Sequence, residues 1–334
     1  VNSYKYLCYD FIMLTKLPLI FECSRIFSLP MTIMSWLVIF TYSATVAGNK
    51  LYGFIALIGV CLVHLATNTL DDYFDYKSLI KQVNFDKKEY LKNSQKTKCR
   101  YLISGMIKEK DVLYLAMSYL FIAGLIGLFF FFKCGVGVLY FVLVGGFIAV
   151  LYSFFSKIRL SELVIAIAYG PALFGGIYYV MTKTYSWEVF VLSIPTMLIT
   201  VILLYIHTVM DFEFDINEGH NTIANAFDSP LDALVVLKWL IILAYLSPII
   251  LCILDIADWQ VLLCWLTIPL AVDLYKSMVD YTVNSDSIPE HKWFHFPMED
   301  MHGAPSFMIR MYQSRNLTIY YTVLFVIGLV LSYN

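Results

Sequence analysis

Long apolar runs, separated by short polar stretches, recur along the whole chain. A helix that crosses the hydrocarbon core of a bilayer needs about 20 mainly apolar residues. The pattern therefore predicts an all-α polytopic membrane protein with about nine transmembrane helices in one bundle. We expect the spans near residues 30–47, 51–72, 112–132, 134–154, 160–181, 188–209, 232–253, 259–280 and 316–332.

The order of polar segments suggests an internal duplication. Long polar segments at 73–111 and 210–231 follow the second and the sixth span. We therefore expect two four-helix halves plus a final helix, within a single domain that covers residues 1–334. Residues 1–25 hold only a short apolar stretch, which Lys16 interrupts, and this favours an interfacial segment over a cleaved signal peptide.

Composition supports a membrane protein and excludes some partners. Of the 334 residues, 60% are hydrophobic and 14% are charged, whereas soluble domains carry about 25% charged residues. The net charge of −2 gives no reason to expect a nucleic-acid partner. The seven cysteines include no CxxC pair, so we interpret them as small packing residues rather than metal ligands or disulfides.

The basic residues are distributed unequally between the two sides of the predicted bundle. One side receives only Lys50, Lys133 and Lys183, and every other Lys and Arg falls on the side of the N-terminus and the long loops. Cytoplasmic loops carry the basic excess. The sequence thus predicts a multi-pass protein of the inner (cytoplasmic) membrane, with the N-terminus and both long polar loops in the cytoplasm.

Carboxylates lie at helical spacing where two spans end. Asn68, Asp72 and Asp75 share one face at the end of the second span, and Asp211 and Asp215 share one face after the sixth. Such a concentration of like charge favours a divalent cation. Mg²⁺ takes oxygen ligands and is commonly held by one or two carboxylates plus substrate phosphates, so we expect these five residues to be Mg²⁺ ligands.

Basic side chains on the same predicted side could complete a diphosphate site. They are either positive-inside anchors or phosphate ligands, and the sequence leaves both interpretations open. The residues that we expect to bind the diphosphate are Arg25, Asn68, Lys98, Arg100, Lys157 and Arg159. His64 and His207 each lie four residues before a member of an acidic face, and we expect them to pack or to support ligands, because Mg²⁺ prefers oxygen.

These motifs resemble those of a known family. The segment 68–78 resembles the first aspartate-rich motif of the UbiA superfamily of intramembrane prenyltransferases, the segment 211–215 its DxxxD motif, and the segment 219–223 its Gly-Lys-Arg-Thr-Leu run. The resemblance implies Mg²⁺-dependent transfer of a polyprenyl chain from an allylic diphosphate to an acceptor, within the lipid bilayer. The residues that we expect to have catalytic roles are Asp72, Tyr152, Lys157 and Asp211.

Three other stretches resemble the menaquinone branch of that superfamily. They are residues 104–107, the pattern from Leu160 to Pro171, and the entry to the last helix from Phe307 to Asn316. This likeness implies an aromatic acceptor, 1,4-dihydroxy-2-naphthoate, as the partner of the polyprenyl diphosphate. It implies nothing about oligomeric state.

The chain also departs from the branch pattern. A further Asp is usual about six residues beyond the position of Asp75, but here the next acidic residue is Asp86. Either Asp75 or Asp86 supplies the missing ligand, or the first metal site is depleted. Asn221 stands where a basic residue is usual. Two alternatives remain: the same fold with another acceptor, such as 4-hydroxybenzoate or a glycerol-phosphate lipid, and a secondary transporter, in which intramembrane carboxylates also occur.

Overall fold

The computed structural model describes residues 19–82, 85–92, 99–155, 157–217, 221–295 and 304–333. Within these ranges, nine helices are long and apolar enough to cross a membrane, and the only β pairing is one isolated bridge. The predicted all-α membrane fold is confirmed. The helices are α1 (Ile26–Thr45), α2 (Lys50–Leu79), α3 (Glu109–Cys134), α4 (Gly137–Phe155), α5 (Ser161–Thr182), α6 (Trp187–Met210), α7 (Pro230–Ile253), α8 (Trp259–Val283) and α9 (Ser306–Ser332).

Two of the predicted spans are too short. We expected the second span to end at residue 72 and the ninth to begin at residue 316, but α2 continues to Leu79 and α9 begins at Ser306. Both added segments are polar in sequence, yet they hold residues buried against protein, such as Asp75 and Arg310. Hydropathy reports contact with lipid, so it does not detect a helix end that is covered by other parts of the protein.

The helices form one closed ring. Each span packs against the next in the chain, and α9 packs against α1 to complete the circuit. In the first half, α2 contacts α1, α3 and α4, and in the second half, α6 contacts α5, α7 and α8. α2 and α6 thus each contact several neighbouring helices, and α6 also contacts α1 and α9. Both helices end at the same face of the bundle, which we call the acidic end.

Short helices cover the acidic end. The α2–α3 connection contains helices at Lys87–Lys92 and Arg100–Ser104, and the α6–α7 connection contains Phe212–Asn217. A small apolar cluster joins the Arg100–Ser104 helix to the segment before α1 and to the end of α2, through Cys23, Leu79 and Leu102. Because this cluster is separate from the main core, it fixes the first loop directly onto the end of α2.

A bend in α5 aims one side chain into the bundle. Residues Ala168–Ala172 form a π-helical turn in which Gly170 has φ −98° and ψ −109°. Pro171 lacks an N–H group and cannot continue the ordinary hydrogen-bond ladder. The bend places Tyr169 with its hydroxyl 2.9 Å from the His64 ring of α2.

Candidate active site

Three carboxylates are buried in the last turns of α2. Asp71 is 5% exposed, Asp72 2% and Asp75 4%. A buried ionised carboxylate is costly unless it is paired and hydrogen-bonded. The partners of these three residues therefore define the site.

Asp72 is held by residues from two other segments. The Arg25 guanidinium, just before α1, donates a hydrogen bond to one carboxylate oxygen, and the Tyr101 hydroxyl donates to the other at 2.5 Å. Burial lowers the pKa of Arg25, but the charges of Asp72 and Asp71 raise it by more, so the guanidinium stays charged. Burial and the Asp72 charge both raise the pKa of Tyr101, which keeps the phenol protonated.

The other two carboxylates of α2 contact the α4 side of the bundle. The Ser153 hydroxyl of α4 donates to Asp71 at 2.9 Å, and Arg25 Nη2 lies 3.8 Å from the same carboxylate. Lys157 Nζ, in the α4–α5 connection, lies 3.7 Å from Asp75 Oδ1. The two cations therefore lie among the three carboxylates.

Asn68 begins a polar network that continues deeper into the bundle. Its Nδ2 donates to the Ser28 hydroxyl at 3.1 Å and to the Ser24 carbonyl at 3.3 Å. One turn below, the His64 ring lies 2.8 Å from the same Ser28 hydroxyl. Hydrogen bonds between the His64 ring on α2 and the hydroxyl groups of Ser28 on α1 and Tyr169 on α5 thus link these three helices.

The second acidic motif keeps its helical spacing although α6 ends within it. Asp211 follows the last residue of α6, and the Asp215 amide donates to the Asp211 carbonyl at 2.8 Å. Asp215 is buried at 6% exposure, whereas Asp211 is partly exposed. His207 Nδ1 lies 3.1 Å from Asp211 Oδ2, so this histidine contacts the motif directly.

A backbone contact joins the two motifs. Ile158 and Asn221 form a parallel bridge, and the Arg159 amide donates to the Asn221 carbonyl at 2.7 Å. Since Lys157 in the same connection faces Asp75, the α4–α5 turn touches both the end of α2 and the loop after Asp215. This turn therefore connects the surroundings of the two motifs.

Other residues expected at the site take varied positions. Tyr152 is half-buried beside Ser153. Arg100 donates to the Leu91 carbonyl at 2.6 Å, which directs it toward the Lys87–Lys92 helix. The Arg159 side chain is exposed. Lys98, residues 219–220 and most of the expected interfacial segment 1–25 lie outside the described residues.

The two residues that could complete the first metal site lie in different surroundings. Asp75 is in the buried cluster of α2, whereas Asp86 is exposed and its carboxylate accepts from the Lys88 amide at 2.7 Å, at the start of the loop helix. Asp86 thus acts as a helix cap in this structure.

Sequence reasoning missed three residues of the cluster. Asp71 is three residues after Asn68 and four before Asp75, so the same helical spacing could have found it. No sequence pattern around Tyr101 or Ser153 marks them as site residues, because their positions depend on how the first loop and α4 pack against α2.

The carboxylates suit Mg²⁺ by their chemistry, although they face protein cations in this structure. Carboxylate and amide oxygens are the donors that Mg²⁺ prefers, and both motifs supply them. Among the described residues, no three His, Cys, Asp or Glu side chains converge closely enough to hold a metal ion. Asp72 and Asp75 face Arg25 and Lys157 instead, so metal binding requires these two cations to turn away.

Comparison with known proteins agrees with this fold. The UbiA prenyltransferase family model matches residues 28–296, which is most of the chain. The chain belongs to the UbiA prenyltransferase family, and it is an integral membrane prenyltransferase. A comparison with curated protein sequences finds no match.

Three solved structures with the same fold are the following. A digeranylgeranylglyceryl phosphate synthase has 17% identity and a TM-score of 0.56, covering 95% of this chain and 99% of its own. The apo UbiA homologue of Aeropyrum pernix K1 has 14% identity and a TM-score of 0.54, covering 90% and 97%. The UbiA homologue of Archaeoglobus fulgidus bound to DMAPP and Mg²⁺ has 13% identity and a TM-score of 0.51, covering 92% and 98%. At these identities the likeness establishes the fold alone.

Proposed function

We propose that this protein transfers a polyprenyl chain from an allylic diphosphate to an aromatic quinone precursor, 1,4-dihydroxy-2-naphthoate. The observation that carries the proposal is the buried cluster of Asp71, Asp72 and Asp75 with Arg25 and Lys157 among its carboxylates. Buried carboxylates beside Arg and Lys side chains are suited to a substrate that brings both phosphate charge and metal ions.

Mg²⁺ is the metal that we assign to this site. Asp71, Asp72 and Asp75 would hold it on one side, and Asp211 and Asp215 on the other, with Asn68 as a further oxygen donor. The bound ion supplies positive charge that stabilises the developing negative charge of the leaving diphosphate. The structure of the A. fulgidus homologue with DMAPP and Mg²⁺ supports this assignment.

Arg25 and Lys157 are the cations best placed to bind the diphosphate oxygens. When the C1–O bond of the allylic substrate breaks, its electron pair leaves with the diphosphate, and positive side chains stabilise that charge. A ring carbon of the acceptor then forms the bond to C1, and the ring loses a proton. Tyr152 lies beside this cluster on α4, where it would face the reacting groups. Lys98, Arg100 and Arg159 would contribute further positive charge.

The three branch-like stretches support the naphthoate acceptor. They occupy specialised positions in the fold: Gly105 ends a loop helix with φ +81°, Gly170 lies at the bend of α5, and Arg310 is fully buried at the entry to α9. A glycerol-phosphate lipid is the second candidate acceptor, because one of the similar folds is a digeranylgeranylglyceryl phosphate synthase. We further propose that the acidic end faces the cytoplasm, on the evidence of the basic loops.

An acceptor panel tests the proposed function. The purified full chain in detergent is given Mg²⁺, a radiolabelled allylic polyprenyl diphosphate, and either 1,4-dihydroxy-2-naphthoate, 4-hydroxybenzoate or a glycerol-phosphate lipid, with products identified by mass spectrometry. We expect a prenylated naphthoquinol that disappears with EDTA. Product with another acceptor alone would remove the naphthoate assignment. No product with any acceptor, together with no Mg²⁺-dependent diphosphate binding, would contradict the proposed reaction.

A further inference from the structure

The Ser28 hydroxyl, in the first turn of α1, lies at a junction of three polar groups. It donates to the Arg25 carbonyl at 2.7 Å, and Asn68 Nδ2 and His64 Nε2 lie 3.1 Å and 2.8 Å from it. A hydroxyl group has one hydrogen and two lone pairs. Because a carbonyl oxygen can only accept, the hydrogen goes to Arg25. Both lone pairs therefore accept, one from Asn68 and one from His64.

This junction determines which nitrogen of His64 carries the proton. Nε2 must donate, because Ser28 has no hydrogen left to give. In the neutral ring Nδ1 then accepts, and the hydroxyl groups of Thr32 and Tyr169 lie 2.5 Å and 2.9 Å from it. Both of these residues are buried. The imidazole is therefore held from two sides, with its N–H group directed at Ser28.

The same junction orients the amide of Asn68. Its Nδ2 donates to the Ser28 hydroxyl and to the Ser24 carbonyl, the latter at 3.3 Å. Neither partner could donate to an amide oxygen in its place, because the Ser28 hydrogen is already used and a carbonyl has none. The amide thus keeps its nitrogen toward α1, which leaves Oδ1 as the atom that Asn68 can offer to Mg²⁺.

Ser28 also holds the backbone of Arg25. Arg25 has φ 50° and ψ 48°, in the left-handed region that is uncommon for a residue other than glycine. The amide and the hydroxyl of Ser28 both donate to the Arg25 carbonyl, at 2.8 Å and 2.7 Å. These bonds act on the backbone and leave the guanidinium free to exchange Asp72 for a phosphate group. One serine therefore influences a proposed metal ligand and a proposed phosphate ligand together.

We propose that His64 is a positioning residue for the Mg²⁺–diphosphate site and that it acts through Ser28. The inference rests on the proposed function, because that function assigns Asn68 to the metal and Arg25 to the diphosphate. The N–H group of His64 occupies one lone pair of Ser28 and so keeps the Ser28 hydrogen on the Arg25 carbonyl. Without that donor, the hydroxyl can turn its hydrogen toward Asn68, whose flipped amide would accept it. Asn68 would then present N–H groups, which repel a cation, to the metal.

The test removes or keeps the hydrogen-bond donor at position 64. His64→Phe keeps an aromatic ring and removes the donor, whereas His64→Gln supplies an amide N–H group at a similar reach. Thr69→Val is the matched control on α2, because Thr69 is fully buried and its hydroxyl donates to the Leu65 carbonyl of its own helix at 2.6 Å. Calorimetry of each full-length variant in detergent measures binding of inorganic diphosphate at a series of Mg²⁺ concentrations and in EDTA, with detergent blanks.

We expect His64→Phe to raise the Mg²⁺ concentration for half-maximal diphosphate binding at least about tenfold, the usual effect of losing a residue that orients a metal ligand. His64→Gln should restore most of the affinity, and Thr69→Val should match wild type. The acceptor KM should stay unchanged in all three variants. Ser28→Ala, which removes the junction itself, should weaken binding in the same direction. It carries the test if the apparent Tm shows that His64→Phe does not fold.

The outcomes separate the positioning role from the proposed reaction. Half-maximal Mg²⁺ concentrations in His64→Phe and Ser28→Ala equal to that of the control would overturn the positioning role and leave prenyl transfer intact. Equal losses in His64→Phe and His64→Gln would also overturn it, because the donor would then have no effect. If binding is lost as expected but no acceptor is prenylated by the wild-type protein, the positioning role stands and the proposed transfer reaction is wrong.

Discussion

The guanidinium of Arg25 donates a hydrogen bond to the carboxylate of Asp72, which joins the segment before α1 to the last turns of α2. The same guanidinium lies 3.8 Å from Asp71. The positive charge of this side chain therefore balances the negative charge of carboxylates that we propose as Mg²⁺ ligands. A bound ion would take over that compensation and release Arg25 to the diphosphate.

Arg25→Gln should destabilise the protein more in the absence of Mg²⁺ than in its presence. The variant leaves a buried carboxylate with less compensation, so we expect a loss of about 1–3 kcal/mol in EDTA and partial recovery when Mg²⁺ and a diphosphate are added. Thermal unfolding in detergent measures both states. Lys77→Gln is the control, because its half-exposed pair with Glu109 is worth about 0–1 kcal/mol. Equal effects of both variants in EDTA would contradict the account.

Asp71→Asn should lower the transfer rate about 100-fold, or roughly 2.7 kcal/mol in the barrier. Asparagine preserves the volume and the hydrogen bond from Ser153 but removes the charge that we assign to metal binding. Ser153→Ala tests the hydrogen bond alone. Since a hydrogen bond to a charged group contributes about 1.5–3 kcal/mol, and the carboxylate itself remains, we expect a smaller loss of rate, about tenfold. Initial rates of prenyl transfer by both variants and by the wild-type protein measure these effects. A fully active Asp71→Asn variant would remove Asp71 from the site.

Lys157→Gln should raise the KM for the allylic diphosphate about tenfold or more, because a cation beside Asp75 is lost from the phosphate site. Asn221→Ala provides the comparison, since the contact of Asn221 with Arg159 is made by its backbone carbonyl and survives the change. We expect its KM to stay near the wild-type value. If both variants behave alike, Lys157 has no special part in diphosphate binding.

The sequence predicted the helices well because lipid imposes a simple rule on them. Each span needs a long apolar run, and the nine runs are separated by charged loops. The ends of α2 and α9 were placed wrongly because Asp75 and Arg310 are polar residues covered by protein. Burial by protein depends on tertiary packing, which local hydropathy does not record.

The candidate site, like the helices, could be predicted from the sequence only in part. Helical spacing identified Asn68, Asp72 and Asp75 as one face, and the same rule could have added Asp71. Tyr101 lies almost 30 residues from Asp72 in the chain and reaches it through the packing of a loop helix. No local pattern marks such a residue.

Gly328→Ala should destabilise the contact between α8 and α9. A Cβ at this position would lie 2.1 Å from the Gln260 carbonyl oxygen and 2.6 Å from Val261 Cα, and both are backbone atoms. Overpacking typically costs about 1–3 kcal/mol, and we expect the upper end of that range. Gly124→Ala is the control, because a Cβ there meets no atom within 4 Å. Equal apparent Tm values for the two variants would show that the helices separate easily.

The Cys23 thiol should react slowly with N-ethylmaleimide at pH 8. Burial, together with the charge of Asp72, raises its pKa from about 9 to about 12. A raised thiol pKa favours the neutral form, so the reactive thiolate is scarce at pH 8 and increases about tenfold per pH unit until the pKa is reached. Peptide mass spectrometry of native and denatured protein measures the labelling. Rapid native labelling of Cys23 at pH 8 would contradict its placement beside Asp72.

The most direct test of the central claim is the single-turnover rate of prenyl transfer by wild-type protein and by Asp72→Asn, each measured with Mg²⁺ and with EDTA. We predict a Mg²⁺-dependent product with wild-type protein and a rate at least about 1,000-fold lower in the variant, or roughly 4 kcal/mol. Both proteins should elute as the same folded species. Transfer by Asp72→Asn at the wild-type rate would show that the carboxylates of α2 are not the reaction centre.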